Sequence, residues 1–335
     1  MSADDTRSVD SLFAAYTGDS VPGASVVVIQ AGTPIIRRAY GMADLERHVA
    51  ATPETDYRLA SLSKQFTAMA VMLLVQDGKL HYDQPVREIL PELPSAASGI
   101  SIRHLLNHTS GIVDYEELIP KTRTTQLSDA DVLAMLAAKD SVYFPAGSQY
   151  RYSNSGYVLL GLIVGRVSRV SLPDFLRARI FAPLGMQATV MHMEGSDTVP
   201  RRAFGYSPRG SSFVQTDQSV TSATLGDGGI YTNVDDMVRW DAALSNTTLV
   251  DARTLELATT PPRLPQDSVT QYGFGWFVDR YRGELRWRHT GETSGFRNAI
   301  QRYPRRTLTI VILTNRSSGE PGAIAERIAD RLLFR

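Results

Sequence analysis

Apolar positions along this chain fall into two rhythms. Val9, Leu12, Phe13 and Tyr16 recur at helical spacing, so residues 7–17 are expected as an amphipathic helix. Val21-Pro22-Gly23 blocks its continuation. Ser25 to Gln30 is a β-branched run, Ala31-Gly32-Thr33-Pro34 reads as a turn, and Ile35 to Tyr40 returns as the second strand of a hairpin. After a loop over 41–56 the helical rhythm resumes. Phe66, Met69, Ala70 and Leu73 share one face of a helix that starts at Ser61, and Gly78 supplies its stop.

From Gly78 to about Leu225 short helical patterns alternate with Pro and Gly, and strand signals are few. Helices are expected over 101–107, 128–139, 155–167 and 171–181, the last stopped by Pro183. Beyond Gly226-Asp227-Gly228-Gly229, Asn233 caps a helix running to about Leu244, and a shorter one covers 254–258. Four strand-like runs follow, over 272–279, 284–289, 297–303 and 307–314, and a helix over 321–334 closes the chain. Two strands alone are only marginally stable. The early hairpin and the late strands therefore predict one largely antiparallel sheet drawn from both chain ends and covered by the first and last helices. The expected fold class is α+β. Residues 1–78 and 226–335 form a discontinuous sheet domain, residues 79–225 form an inserted, mostly helical domain, and the active site lies in the cleft between them.

Composition narrows the function. At 43% hydrophobic and 21% charged, the 335 residues suit an ordinary globular protein. Equal numbers of acidic and basic residues, 35 each, argue against a nucleic-acid or anionic-membrane partner. The absence of cysteine excludes disulfides, thiolate catalysis and cysteine–metal sites. The longest apolar stretches, 68–75 and 157–164, are too short to span a membrane. Met1-Ser2-Ala3-Asp4-Asp5 does not open a signal peptide, so the chain as written is expected in the cytoplasm, or in the periplasm if a leader was removed. The expected partner is a small-molecule substrate, with no cofactor and no metal, and the expected state is a monomer or weak oligomer.

Three stretches carry candidate chemistry. The first holds Ser61 and Lys64. A serine hydroxyl needs a neighbouring base, and a lysine amine serves once desolvation removes its proton. Only four of the 35 basic residues are lysines, and Lys64 alone has a serine three positions before it. The chain otherwise writes positive charge as arginine, which cannot deprotonate. The second stretch is Tyr150-Arg151-Tyr152-Ser153-Asn154, in irregular chain, where Tyr152 offers a phenol, a base if an ammonium holds it ionised, and Asn154 an amide for a substrate amide. The third is Arg288-His289-Thr290-Gly291-Glu292 at a strand end. A backbone N–H there would complete an oxyanion hole with that of Ser61, and Gly291 allows close approach. His104 and His108 have the i, i+4 spacing of a zinc pair but lack the intervening glutamate of the metalloprotease pattern, so their role is expected to be structural.

The order Ser-x-x-Lys, Tyr-x-Asn, His-Thr-Gly resembles the serine β-lactamase and penicillin-binding protein family, and the tyrosine resembles its class C branch. That branch includes D,D-carboxypeptidases, D-aminopeptidases and β-lactamase-like esterases. The likeness extends to Tyr40-Gly41-Met42-Ala43-Asp44, His104 to Gly111, Pro183-Leu184-Gly185-Met186 and Gly228-Gly229-Ile230-Tyr231. It implies Ser61 as the acylated nucleophile, Lys64 as the amine that helps deprotonate it and Tyr152 as the proton shuttle. It also implies substrate binding by Asn154, His289, Thr290 and Gly291, with the Glu292 N–H as second oxyanion donor. His289 stands where the best-known members have lysine, and it lacks a fixed charge for a substrate carboxylate. The expected substrates are therefore short-chain carboxylic esters or related amides. A true β-lactamase, a D-stereospecific peptidase and a catalytically silent binding protein are the alternatives.

Overall fold

The computed structural model describes residues 3–193, 195, 198–265 and 268–334. Its centre is an antiparallel sheet of β1 (Ala24–Gln30), β2 (Thr33–Tyr40), β3 (Phe277–Tyr281), β4 (Glu284–Thr293), β5 (Phe296–Tyr303) and β6 (Leu308–Thr314), in the order β3-β4-β5-β6-β1-β2. The two chain ends meet where β1 pairs with β6, Ala24 opposite Thr314 and Gln30 opposite Leu308.

Alternation along β1 divides the core. Val26 and Val28 join Ile310 and Ile312 on one face, against Val9 and Leu12 of α1 (Ala3–Leu12) and Ala325 and Ile328 of the last helix, Pro321–Leu333. Val27 and Ile29 turn to the other face with Val311 and Leu313. There they meet Phe66 and Leu73 of α2 (Lys64–Gln76) and Met237 and Trp240 of the Val234–Asn246 helix. The same apolar cluster continues into the helical region through Leu105, Leu160 and Val164.

Several boundaries differ from the expectations for physical reasons. The first hairpin turns on Ala31 and Gly32 alone, both at positive φ (48° and 76°), so Thr33 and Pro34 already belong to β2. The strand expected at Tyr272 begins at Phe277, after Gly275 takes φ 79° against the backbone of Gln65. Pro183 does not stop its helix. A π-turn over Arg177–Phe181 precedes Ala182–Leu184, where the missing proline N–H falls in the first turn, and Gly185 in the left-handed region ends it. The region between the candidate stretches also holds strands. Tyr206–Arg209 and Ser212–Gln215 make a hairpin, and Val190–Met191 joins Ile230–Thr232 and Tyr57–Arg58 in a three-stranded sheet beside the turn that carries Ser61.

Candidate active site

Ser61 lies in a 3-10 turn, Ala60–Ser63, that feeds directly into α2. Three contacts fix this turn. The Leu59 N–H donates to the Ile230 carbonyl (2.8 Å). Buried Asn298 of β5 donates from Nδ2 to the carbonyls of Arg58 (2.8 Å) and Leu59 (3.3 Å), while its Oδ1 accepts the Thr314 N–H (3.0 Å). Gly291 of β4 lies so close that a Cβ there would stand 2.0 Å from the Leu59 carbonyl oxygen. Ala60 then takes φ 50°, unusual for a residue with a side chain, and turns the chain so that Ser61 heads the helix half-buried.

Lys64 is fully buried one turn on. Its Nζ lies 3.0 Å from Ser61 Oγ, 2.8 Å from Asn154 Oδ1 and 3.0 Å from the Asp227 carbonyl oxygen. Asn154 Nδ2 donates to Glu116 Oε1 (2.9 Å), and a carboxylate only accepts, so the amide orientation is set by its partners. Both other acceptors around Nζ thus take a proton. A neutral amine has two to give, and its lone pair is left facing the serine hydroxyl. Burial pushes the Lys64 pKa down to about 8, against the opposing pull of Asp227, Glu116 and Asp114.

Tyr152 approaches from the irregular segment before α4, the Asn154–Ser168 helix; the shorter Asp129–Ala137 helix is α3. Ser153 caps α4, so Asn154 is its first residue and not part of irregular chain as expected. The Lys64 Nζ stands 5.1 Å over the Tyr152 ring. Burial raises the tyrosine pKa, Ser61 pulls it partway back, and Asp227 and Glu116 raise it further. The phenol therefore favours its protonated form, so the condition under which it would act as a phenolate base is not met at rest. Its hydroxyl is buried without a hydrogen-bond partner among the described residues.

The β4 wall departs furthest from expectation. His289 is buried, and its Nδ1 lies 2.6 Å from the Thr290 carbonyl oxygen, so Nδ1 carries the proton. Nε2 then accepts from Tyr272 Oη at 3.0 Å. Burial and Lys64 lower the His289 pKa to about 3. Both ring nitrogens are engaged within the protein, so the side chain expected to contact substrate instead anchors the wall. Thr290 is exposed, Gly291 closes on the catalytic turn, and the Glu292 side chain faces solvent, 3.5 Å from Arg297. Glu116, Asp227, Tyr272 and Asn298 were missed in the sequence. Asp227 alone had a local signal, its setting among Gly226, Gly228 and Gly229.

His104 and His108 do not converge on an ion site. His104 Nδ1 accepts the Ser101 N–H (3.2 Å) in a reciprocal helix cap. Among the described residues no cluster of three or more metal-ligating side chains occurs, and no helix is long and apolar enough to cross a membrane.

Known proteins resemble this chain in sequence and fold. Penicillin-binding protein 4* of Bacillus subtilis (strain 168) is 29% identical over 92% of this chain and 75% of its own length. The octameric penicillin-binding protein homologue from Pyrococcus abyssi has a TM-score of 0.83 at 25% identity, covering 99% of this chain and 78% of that one. The D-amino acid amidase from Ochrobactrum anthropi SV3 has a TM-score of 0.80 at 26% identity, covering 97% and 99%. The fold is that of the β-lactamases and transpeptidases. The family model described as Beta-lactamase matches residues 9–334, and the chain belongs to that family, as a serine hydrolase acting on esters or amides.

Proposed function

We propose that hydrolysis proceeds through an acyl-enzyme on Ser61, with Lys64 in its neutral form as the base that takes the serine proton. The supporting observation is the set of acceptors around Lys64 Nζ, which consume both protons of a neutral amine and leave its lone pair to Ser61. Ser61 Oγ attacks the substrate carbonyl while its proton passes to Lys64. The backbone N–H groups of Ser61 and Glu292 receive the developing oxyanion, each worth on the order of 3 kcal/mol. The protonated Tyr152 phenol gives its proton to the departing oxygen or nitrogen and is replenished from Lys64. Water then attacks the acyl carbonyl, its proton returns through Tyr152, and the Ser61 oxygen leaves with a proton as acid is released.

The substrate lies between the sheet wall of residues 1–78 and 226–335 and the helical wall of 79–225. No lysine stands at position 289 to hold a carboxylate, and His289 is neutral and engaged with Tyr272. Asp114, Glu116 and Asp227 supply negative potential around Lys64. Acyl groups without a carboxylate fit this field, namely short-chain esters and neutral or amine-bearing amides. The D-amino acid amidase likeness supports the amide side of that range.

Brief incubation with p-nitrophenyl acetate followed by mass spectrometry should place an acetyl adduct on Ser61. Short p-nitrophenyl esters should turn over faster than nitrocefin. No adduct with any ester, β-lactam or fluorophosphonate overturns the acyl-enzyme, and the reverse ranking overturns the substrate class.

A further inference from the structure

The mechanism leaves His108 unused, although it is fully buried beside Tyr152. Its position is costly. The backbone sits at φ 60°, a left-handed conformation that residues with side chains rarely adopt. Its Nε2 is buried without a hydrogen-bond partner among the described residues. Strain and an unpaired donor persist where the surroundings hold them in place.

The two groups of His108 that do bond reach the same short segment. Its carbonyl accepts the Arg151 N–H (3.0 Å), and its Nδ1 accepts the Ser153 N–H (3.1 Å). Tyr152 lies between those two donors. The left-handed turn at 108 directs main chain and imidazole at the segment together. Nδ1 must be unprotonated to accept, so Nε2 carries the hydrogen. The ring centroid is 4.3 Å from that of Tyr152 and 4.3 Å from that of Tyr272, whose hydroxyl bonds His289. The neighbouring chain repeats the pattern. The Thr109 carbonyl accepts the Gly147 N–H (2.8 Å) and the Gly111 carbonyl accepts the Tyr143 N–H (2.7 Å). The run from His108 to Gly111 thus holds the 143–153 segment, and its last clamp brackets the phenol.

We propose that His108 is a positioning residue for the proton-shuttling phenol, fixing Tyr152 through the backbone on either side of it and packing it against Tyr272. The inference rests on the role assigned to Tyr152 above. Burial, and secondarily Lys64, holds the imidazole neutral, so it remains an acceptor throughout the working pH range.

The test separates the two ring nitrogens. In His108→Asn, Oδ1 stands near the place of Nδ1 and asparagine tolerates the left-handed backbone, so p-nitrophenyl acetate turnover should stay within a few-fold of the parent. His108→Gln retains a donor near Nε2 but loses the Nδ1 acceptor. Its kcat should fall on the order of 100-fold, as for a catalytic group misplaced by about 1 Å, with KM little changed. In a Tyr152→Phe background His108→Gln should change kcat by less than about twofold, because nothing is left to position. Equal kcat for the two single variants, or the same loss in both backgrounds, overturns the proposal. So does a large loss in folded His108→Asn, which decides the matter even if His108→Gln does not fold. Normal turnover by Tyr152→Phe alone would instead remove the role assigned to Tyr152.

Discussion

The burial of Lys64 makes a quantitative prediction about pH. With a pKa of about 8, close to one molecule in ten carries the neutral amine at pH 7, and about nine in ten at pH 9. The acylation rate should therefore rise about tenfold across that interval and level off above it. Stopped-flow release of p-nitrophenol in the first turnover reads this rate directly. His289 titrates near pH 3 and the Tyr152 phenol is raised, so neither sets this limb. Replacing Glu116 by Gln supplies the perturbation. The carboxylate reaches Lys64 only through the Asn154 amide, over bonds of 2.9 and 2.8 Å, a separation of about 7 Å overall. At that distance near the surface one charge is worth on the order of 1 kcal/mol, so its loss should move the midpoint down by roughly half a pH unit. The glutamine oxygen still accepts from Asn154, which leaves the geometry in place. Folding should report the same group. The folded pKa lies below the ordinary lysine value of 10.5, so the unfolded chain binds the extra proton between pH 8 and 10.5. Lys64 should then add about 3 kcal/mol of stability as pH rises through that window. A flat acylation rate from pH 7 to 9, a rate still climbing tenfold per unit at pH 10, or an upward midpoint shift in Glu116→Gln would refute a neutral-lysine base.

Gly291→Ala should lower kcat for p-nitrophenyl acetate on the order of 100-fold, because a Cβ 2.0 Å from the Leu59 oxygen forces β4 and the catalytic turn apart by about 1 Å. Activity within twofold of the parent would show that the two walls are not in fixed register. Asn298→Ala should cost about 2–3 kcal/mol in urea unfolding, because it removes the side-chain partners of the Arg58 carbonyl and the Thr314 N–H inside the protein, while the Leu59 carbonyl keeps the Leu62 N–H; an unchanged midpoint would contradict that account.

The sequence was most legible where one face meets solvent or a cap is a single residue. The β1–β2 hairpin, the serine caps at 101 and 128 and the asparagine cap at 233 all occur within a residue or two of expectation. Ser61, Lys64 and Tyr152 stood out in the sequence because each carries a distinctive group at a distinctive spacing, and the structure brings their side chains close together. The direction of the tyrosine pKa was not legible. It depends on how deeply three separate segments bury one ring, and a short motif holds no record of that. Glu116, Tyr272 and Asn298 were hidden for the same reason. Each acts through a contact tens or hundreds of positions away, and Asn298 reads locally as one polar residue in a strand. The engagement of His289 with Tyr272 follows only from tertiary packing.

The meeting of β1 with β6 has a consequence for how the molecule comes into being. Gln30 and Leu308 are 278 positions apart, and joining segments so distant costs about 5 kcal/mol of chain entropy before any neighbouring contact repays it. During synthesis the β1–β2 hairpin leaves the ribosome with one face of β1 and its pairing edge exposed, and its neighbour in the sheet follows only about 270 residues later. Ser61 is translated early, but Gly291 and Asn298, which fix its turn, come about 230 residues later. A nascent chain that stops short of them carries Ser61 and Lys64 and has no assembled oxyanion site. Hydrolytic competence should therefore appear abruptly, when β4 and β5 dock, so that the order of translation keeps Ser61 silent until those strands have been made.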